Sequence, residues 1–205
     1  GGKAYYAAGT IPVVVAQGLI AIAGLPRPRL RRALTIAAVV AGLLDFAIFF
    51  FLVVPVTPPD RIHATRLDTV NEVFADSVGW SDVATQVTTI YQGLPEDQRK
   101  STVVISAYYG VPGALQVYID PARRPAAFSP QLSDWYWLPS NLNATQALMI
   151  DYRPSDVEWM CTAPTLIAHL TVPYQVTGLE QGAPVTICPL KTSVQDAWGR
   201  LRNFS

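Results

Sequence analysis

Two long apolar runs constrain this chain more than any other feature. Residues 4–25, AYYAAGTIPVVVAQGLIAIAGL, carry no charge, and residues 33–56, ALTIAAVVAGLLDFAIFFFLVVPV, carry only Asp45. A helix rises about 1.5 Å per residue, so either run is long enough to cross the roughly 30 Å hydrocarbon core of a bilayer. Buried core helices of a soluble protein are the alternative, but apolar runs of this length exceed what such helices usually show. A signal peptide is a poor fit to the first run, which lacks a basic start and a small-residue cleavage site and is followed at once by the second. With a glycine start, and Met149 and Met160 as its only methionines, the chain reads as a piece of a longer multi-pass protein.

The connector 26–32, PRPRLRR, holds Arg27, Arg29, Arg31 and Arg32 without an acid. Short arginine-rich loops stay on the cytoplasmic side, so a hairpin over 1–56 would put everything after about residue 57 outside the cytoplasm. Lys3, Tyr5 and Tyr6 then lie at the outer mouth of the first span. They read either as an interfacial aromatic belt with a snorkelling lysine or as a cationic lip for a lipid phosphate or a sugar. Asp45, an intramembrane carboxylate, is expected to face a bundle interior or a cavity, because a charge exposed to lipid costs several kcal/mol. No partner for it can be named from the sequence.

From Thr57 the composition becomes that of a soluble domain. TPPDR opens a stiff linker over 57–66, and 67–205 is long enough for one core. A helical pattern covers residues 67–91, broken near Gly79-Trp80, with Ser81 as a candidate cap. A strand over Thr102–Tyr108 follows, then a turn at Gly110 and a short helix over Gly113–Tyr118. ALMIDY (147–152), LIAHLTVPY (166–174) and PVTICPL (184–190) read as strands, and RPSDVEWM (153–160) and SVQDAWGRL (193–201) as helices. The alternation predicts a layered α/β sheet with flanking helices and an antiparallel pair at the end. The turn after the first strand, Tyr109-Gly110-Val111-Pro112-Gly113, is where such domains place ligands, since free backbone N–H groups point outward there.

Several chemistries find no support. Zero formal net charge argues against nucleic acid as a partner. His63 and His169 stand in unrelated contexts, no ligand cluster has metal spacing, and no cofactor motif is present. His169 reads as a strand histidine, and Asp68, Glu72 and Asp76 as one solvated acidic helix face. Cys161 and Cys188 would be paired in an oxidising compartment, closing about 28 residues for roughly 3–4 kcal/mol; two separate buried thiols are the alternative.

In order along the chain, GGKAYYAAGTIPVVVAQG (1–18), YYGVPGAL (108–115) and GLEQGAPVTICPLKTSVQDAWGRLRNF (178–204) resemble segments of the C-terminal part of family 39 membrane glycosyltransferases. This GT-C group is similar to protein O-mannosyltransferases and lipid A aminoarabinose transferases. The resemblance implies a polytopic enzyme moving a sugar from a polyprenyl-phosphate donor to an extracytoplasmic acceptor of unnamed kind. It also implies donor or substrate contacts at Lys3, Tyr5, Tyr6, Tyr109, Gly110 and Gly113. The family's catalytic carboxylate lies in a first outer loop outside these residues, so the segment alone is expected to be inactive. Tyr108 and Val111 depart from the family's Asn and Glu. Ser129, Pro130, Gln131 and Leu132, ahead of Trp137 and Pro139, stand where relatives carry a Ser-Gly-His-Asn-like loop. A membrane-anchored sensor or interaction domain without chemistry is the other reading.

Overall fold

The computed structural model describes residues 10–54, 56–70, 75–176, 178 and 180–203, with backbone only at 52 and 53. The chain divides at Val56/Thr57 into two units.

The first unit holds helices α1 (Ile11–Ala23) and α2 (Pro28–Val53). Over Pro28–Phe51, α2 has a mean hydropathy of 2.4 and none of that stretch is buried by protein. Its 24 residues make a rod of about 36 Å, long and apolar enough to cross a membrane. α1 is shorter than a span, and residues 4–9 of the first predicted crossing lie outside the described residues. The predicted basic loop over 26–32 is mostly helix. Pro28 starts α2 because its missing N–H is not needed in a first turn, so Arg29, Arg31 and Arg32 ride on the helix and only Gly24–Arg27 connect the two. Asp45 sits on α2, exposed, with no hydrogen bond or ion pair among the described residues.

The second unit is built on a five-stranded mixed sheet of order β2-β1-β3-β5-β4: β1 (Thr102–Ser106), β2 (Ala127–Phe128), β3 (Gln146–Ile150), β4 (Thr165–His169) and β5 (Pro184–Pro189). β1 runs parallel to β2 and β3, whereas β5 is antiparallel to both β3 and β4. All five residues of β1 are buried, as expected of a strand covered on both faces. Alternation sorts its side chains into two cores. Val104, with Leu148, Ile150 and Val185, packs under α4 (Trp80–Gln92) and α6 (Gly110–Tyr118). Val103 and Ile105, with Met149 and Cys188, pack against α7 (Pro154–Val157) and α8 (Val194–Leu201). Two short helices complete the order, α3 (Leu67–Val70) and α5 (Glu96–Lys100). Cys161 and Cys188 form a disulfide inside the second core, with Cα atoms 5.1 Å apart.

Three local expectations change. The segment 57–66 is not a free linker, because Pro59–Arg61 form a 3-10 turn and Ile62 is buried in the first core. Asp68 is no solvated face: it is buried and takes a 2.9 Å bond from the His63 imidazole Nδ1. Its predicted neighbour Glu72 lies outside the described residues. Ser81 does not cap the second helix; α4 begins at Trp80 after Gly79, whose φ of 87° turns the chain. His169 is a strand histidine as read, at the end of the edge strand β4, and is exposed there.

Candidate ligand cleft at the carboxyl edge of the sheet

The parallel strands β1 and β2 end on the same edge, where open α/β sheets commonly bind ligands. β1 stops at Ser106, two residues earlier than the apolar run suggested. The Ser106 hydroxyl donates to the Tyr108 carbonyl at 2.8 Å and accepts from the Tyr108 N–H at 3.2 Å, closing a local loop that ends the ladder. Helix α6 then starts at Gly110 rather than Gly113. Pro112 sits in its first turn, where a missing N–H leaves no bond unmade. The Tyr109 N–H is taken by the Gln131 side-chain oxygen at 3.0 Å, which ties the segment after β2 to this turn.

The two glycines of the turn have different reasons. A Cβ on Gly110 would overlap the Trp80 ring, so the helix start can approach α4 only without a side chain. Trp80 is itself fixed by an indole N–H bond of 2.5 Å to the Asp76 carbonyl and stacks on Tyr108 at 6.0 Å between ring centroids. Gly113 meets nothing within 4 Å and faces open space. That space is a cavity of about 480 Å³ whose walls include Tyr109, Gly113, Gln116, Phe128, Asp134 and Trp137. Val111 points the other way and is fully buried.

The far wall comes from a 3-10 segment, Leu132–Trp137, which carries three consecutive aromatics. Trp135 is held inward: Trp198 Nε1 donates to its carbonyl at 2.8 Å, and the Arg202 guanidinium lies 4.3 Å from its ring centroid. Tyr136 accepts from Arg202 at 3.3 Å. Tyr136 and Trp137 are both largely exposed, at 70% and 75%, and Trp137 stacks on no other ring among the described residues. Burial raises the proton affinity of the Asp134 carboxyl above the usual carboxylate range.

Behind the turn lies a group of acids. Glu180 is 4% exposed, and its Oε2 has no hydrogen-bond partner among the described residues. Burial, reinforced by the negative charges of Asp151 and Asp76, pushes its carboxyl up to about 7. Asp151, at a left-handed φ of 61° just after β3, is raised by desolvation and by Asp156, against the pull of Arg153. The Tyr108 phenol is raised by burial first, then by its contact with Tyr109 and by Asp76 and Glu180. Among the described residues no cluster of His, Cys, Asp and Glu could hold a metal ion.

Of the sequence-predicted site residues, Tyr109 and Gly113 line the cavity, and Gly110 forms the tight corner beside it. Lys3, Tyr5 and Tyr6 lie outside the described residues. The sequence reading assigned no ligand role to Gln116, Phe128, Asp134 or Trp137. The available signal was the SDWYW run at 133–137, three aromatics beside an acid in an otherwise polar stretch.

No protein-family profile, curated protein or solved structure matches this chain. The family 39 resemblance therefore rests on the three sequence segments that carry it.

Proposed function

We propose that this chain is the anchor and outer domain of a membrane glycosyltransferase that takes its sugar from a polyprenyl-phosphate donor outside the cytoplasm. The observation that carries the reading is the pairing, on one chain, of a membrane-length helix with a disulfide-bonded α/β domain bearing an open cleft. A disulfide persists in oxidising compartments and is rare in the cytosol, which favours an extracytoplasmic position for the residues after 57. On this reading α1, extended by the residues before it, is a second crossing, and the arginine-rich junction faces the cytoplasm. The chain supplies anchorage and ligand contact, while the catalytic carboxylate comes from a loop elsewhere in the enzyme.

One observation favours a second reading, a tethered binding domain without chemistry. Val111, which stands where the family has Glu, is 0% exposed and so cannot reach a ligand. The two readings separate in one experiment. Membranes of cells expressing the complete reading frame that carries this sequence are supplied with radiolabelled polyprenyl-phosphate-linked sugars. Donor-dependent transfer of label to an acceptor fraction, absent from membranes of a deletion strain, is expected. Equal incorporation in both membranes would leave the binding-domain reading.

A further inference from the structure

We infer that the cleft between Gly113 and Trp137 is a saccharide site, in which a neutral sugar ring lies on the Trp137 indole and its hydroxyl groups bond to Asp134 and Gln116. The inference rests on the cleft being a ligand site, as proposed above, and names the chemistry of what enters it.

The volume comes first. About 480 Å³ falls in the range of roughly 300–1,000 Å³ occupied by small-ligand sites. Shape and composition narrow the class. A sugar ring has an apolar C–H face and a rim of hydroxyls, so it needs a flat aromatic surface with both hydrogen-bond donors and acceptors beside it. Trp137 supplies the surface. Its two aromatic neighbours in sequence are engaged with Trp198 and Arg202, and of the three Trp137 lines the cavity, 75% exposed. Tyr109, 43% exposed, also lines the cavity and brings a phenol. The two Asp134 carboxylate oxygens can accept hydrogen bonds from sugar hydroxyls, and the Gln116 amide both donates and accepts. Gly113 leaves the floor at backbone level, where a ring edge can approach closely.

Charge excludes the anionic rival. Among the described residues no lysine or arginine lines the cavity and its one carboxyl group is Asp134, so a phosphate would meet repulsion without a counter-charge. The cleft thus suits a neutral glycan unit of the acceptor or product rather than the phosphate end of the donor. A quaternary ammonium ion would call for rings facing one another as a cage. Tyr109, Phe128 and Trp137 all line this cleft, so the choline control decides between that ion and a sugar.

The test uses the full chain in lipid nanodiscs, since sugar-headed detergents would compete. Methyl glycosides of glucose, galactose, mannose and arabinose are titrated by calorimetry and by saturation-transfer NMR, with choline and inorganic phosphate as controls. At least one glycoside is expected to bind saturably. Trp137→Ala and Asp134→Asn should each weaken it by about tenfold or more, and Gly113→Leu should block it, with near-UV circular dichroism unchanged. Absence of glycoside binding to the folded chain, binding indifferent to all three variants, or choline or phosphate binding with the same variant sensitivity would each overturn the inference. Donor-dependent transfer by an enzyme whose cleft takes no glycoside sinks this inference alone. Glycoside binding without any such transfer sinks the transferase reading alone.

Discussion

Helices α2 and α4 solve opposite problems with similar apolar residues. In α4, Val83, Ala84 and Val87 are buried against the sheet while Ser81, Asp82, Thr85 and Thr89 face water, the one-sided pattern of a helix on a soluble core. In α2, Val39, Val40, Leu43, Leu44, Phe46, Ile48 and Phe49 point around the helix, and all are exposed. The difference teaches where the burial energy of each unit comes from. The second unit closes its core within the chain, whereas α2 leaves its apolar surface uncovered by protein over a length that could cross a membrane.

The contrast breaks most easily at the helix itself. Val40→Arg combined with Leu44→Arg puts two charges on one face of α2, at a cost to membrane insertion of about 5–7 kcal/mol. The doubly substituted chain should move from the alkali-resistant membrane pellet to the soluble fraction. Val117→Arg on the second unit, at an apolar position that is 75% exposed, should change stability by less than about 0.5 kcal/mol. Equal behaviour of the two substitutions would erase the distinction.

The second unit's self-sufficiency is sharpened by its cross-link. Replacing Cys161 and Cys188 together by Ala should lower its urea-unfolding free energy by about 3–4 kcal/mol, because the bond closes a loop with a sequence separation of 27. A loss below about 1 kcal/mol would mean that the two cores hold without it.

Glu180 gives a slightly smaller effect that depends on pH. Its folded carboxyl is raised from 4.5 to about 7, so the native state binds the extra proton and stability falls as pH rises from 4.5 through 7. Glu180→Gln should therefore stabilise the domain by up to about 3 kcal/mol at pH 8 and change little at pH 4.5. A variant whose effect is the same at both pH values would show that Glu180 titrates alike in the folded and unfolded chain.

The smallest pair of effects concerns the turn glycines. Gly110→Ala must displace the Trp80 ring and should cost about 1–3 kcal/mol. Gly113→Ala meets open space within α6 and should stabilise by about 0.5–1 kcal/mol. Thermal unfolding of both variants checks the difference in sign.

These cases also show what could be read before the fold was seen. The strands 102–106, 146–150 and 184–189 were legible because β-branched and apolar runs bounded by turn residues leave few alternatives. β2 was not, since two residues cannot show a period. The α6 boundary was misplaced because Pro112 reads as a breaker, although in a first turn it breaks nothing. Asp68 was misread because its partner His63 comes from the segment taken for a linker. Half of the candidate site was visible in Tyr109 and Gly113. The other half was hidden because the different fates of Trp135 and Trp137 are decided by Trp198 and Arg202, more than sixty residues away.

Protease accessibility in spheroplasts tests the central claim most directly, that α2 holds the disulfide-bonded domain on the outer face of a membrane. With a tag placed in the outer domain and a second tag in the connector between α1 and α2, protease added outside should digest the first and spare the second until the membrane is permeabilised. Digestion of the connector tag with protection of the domain would contradict the account.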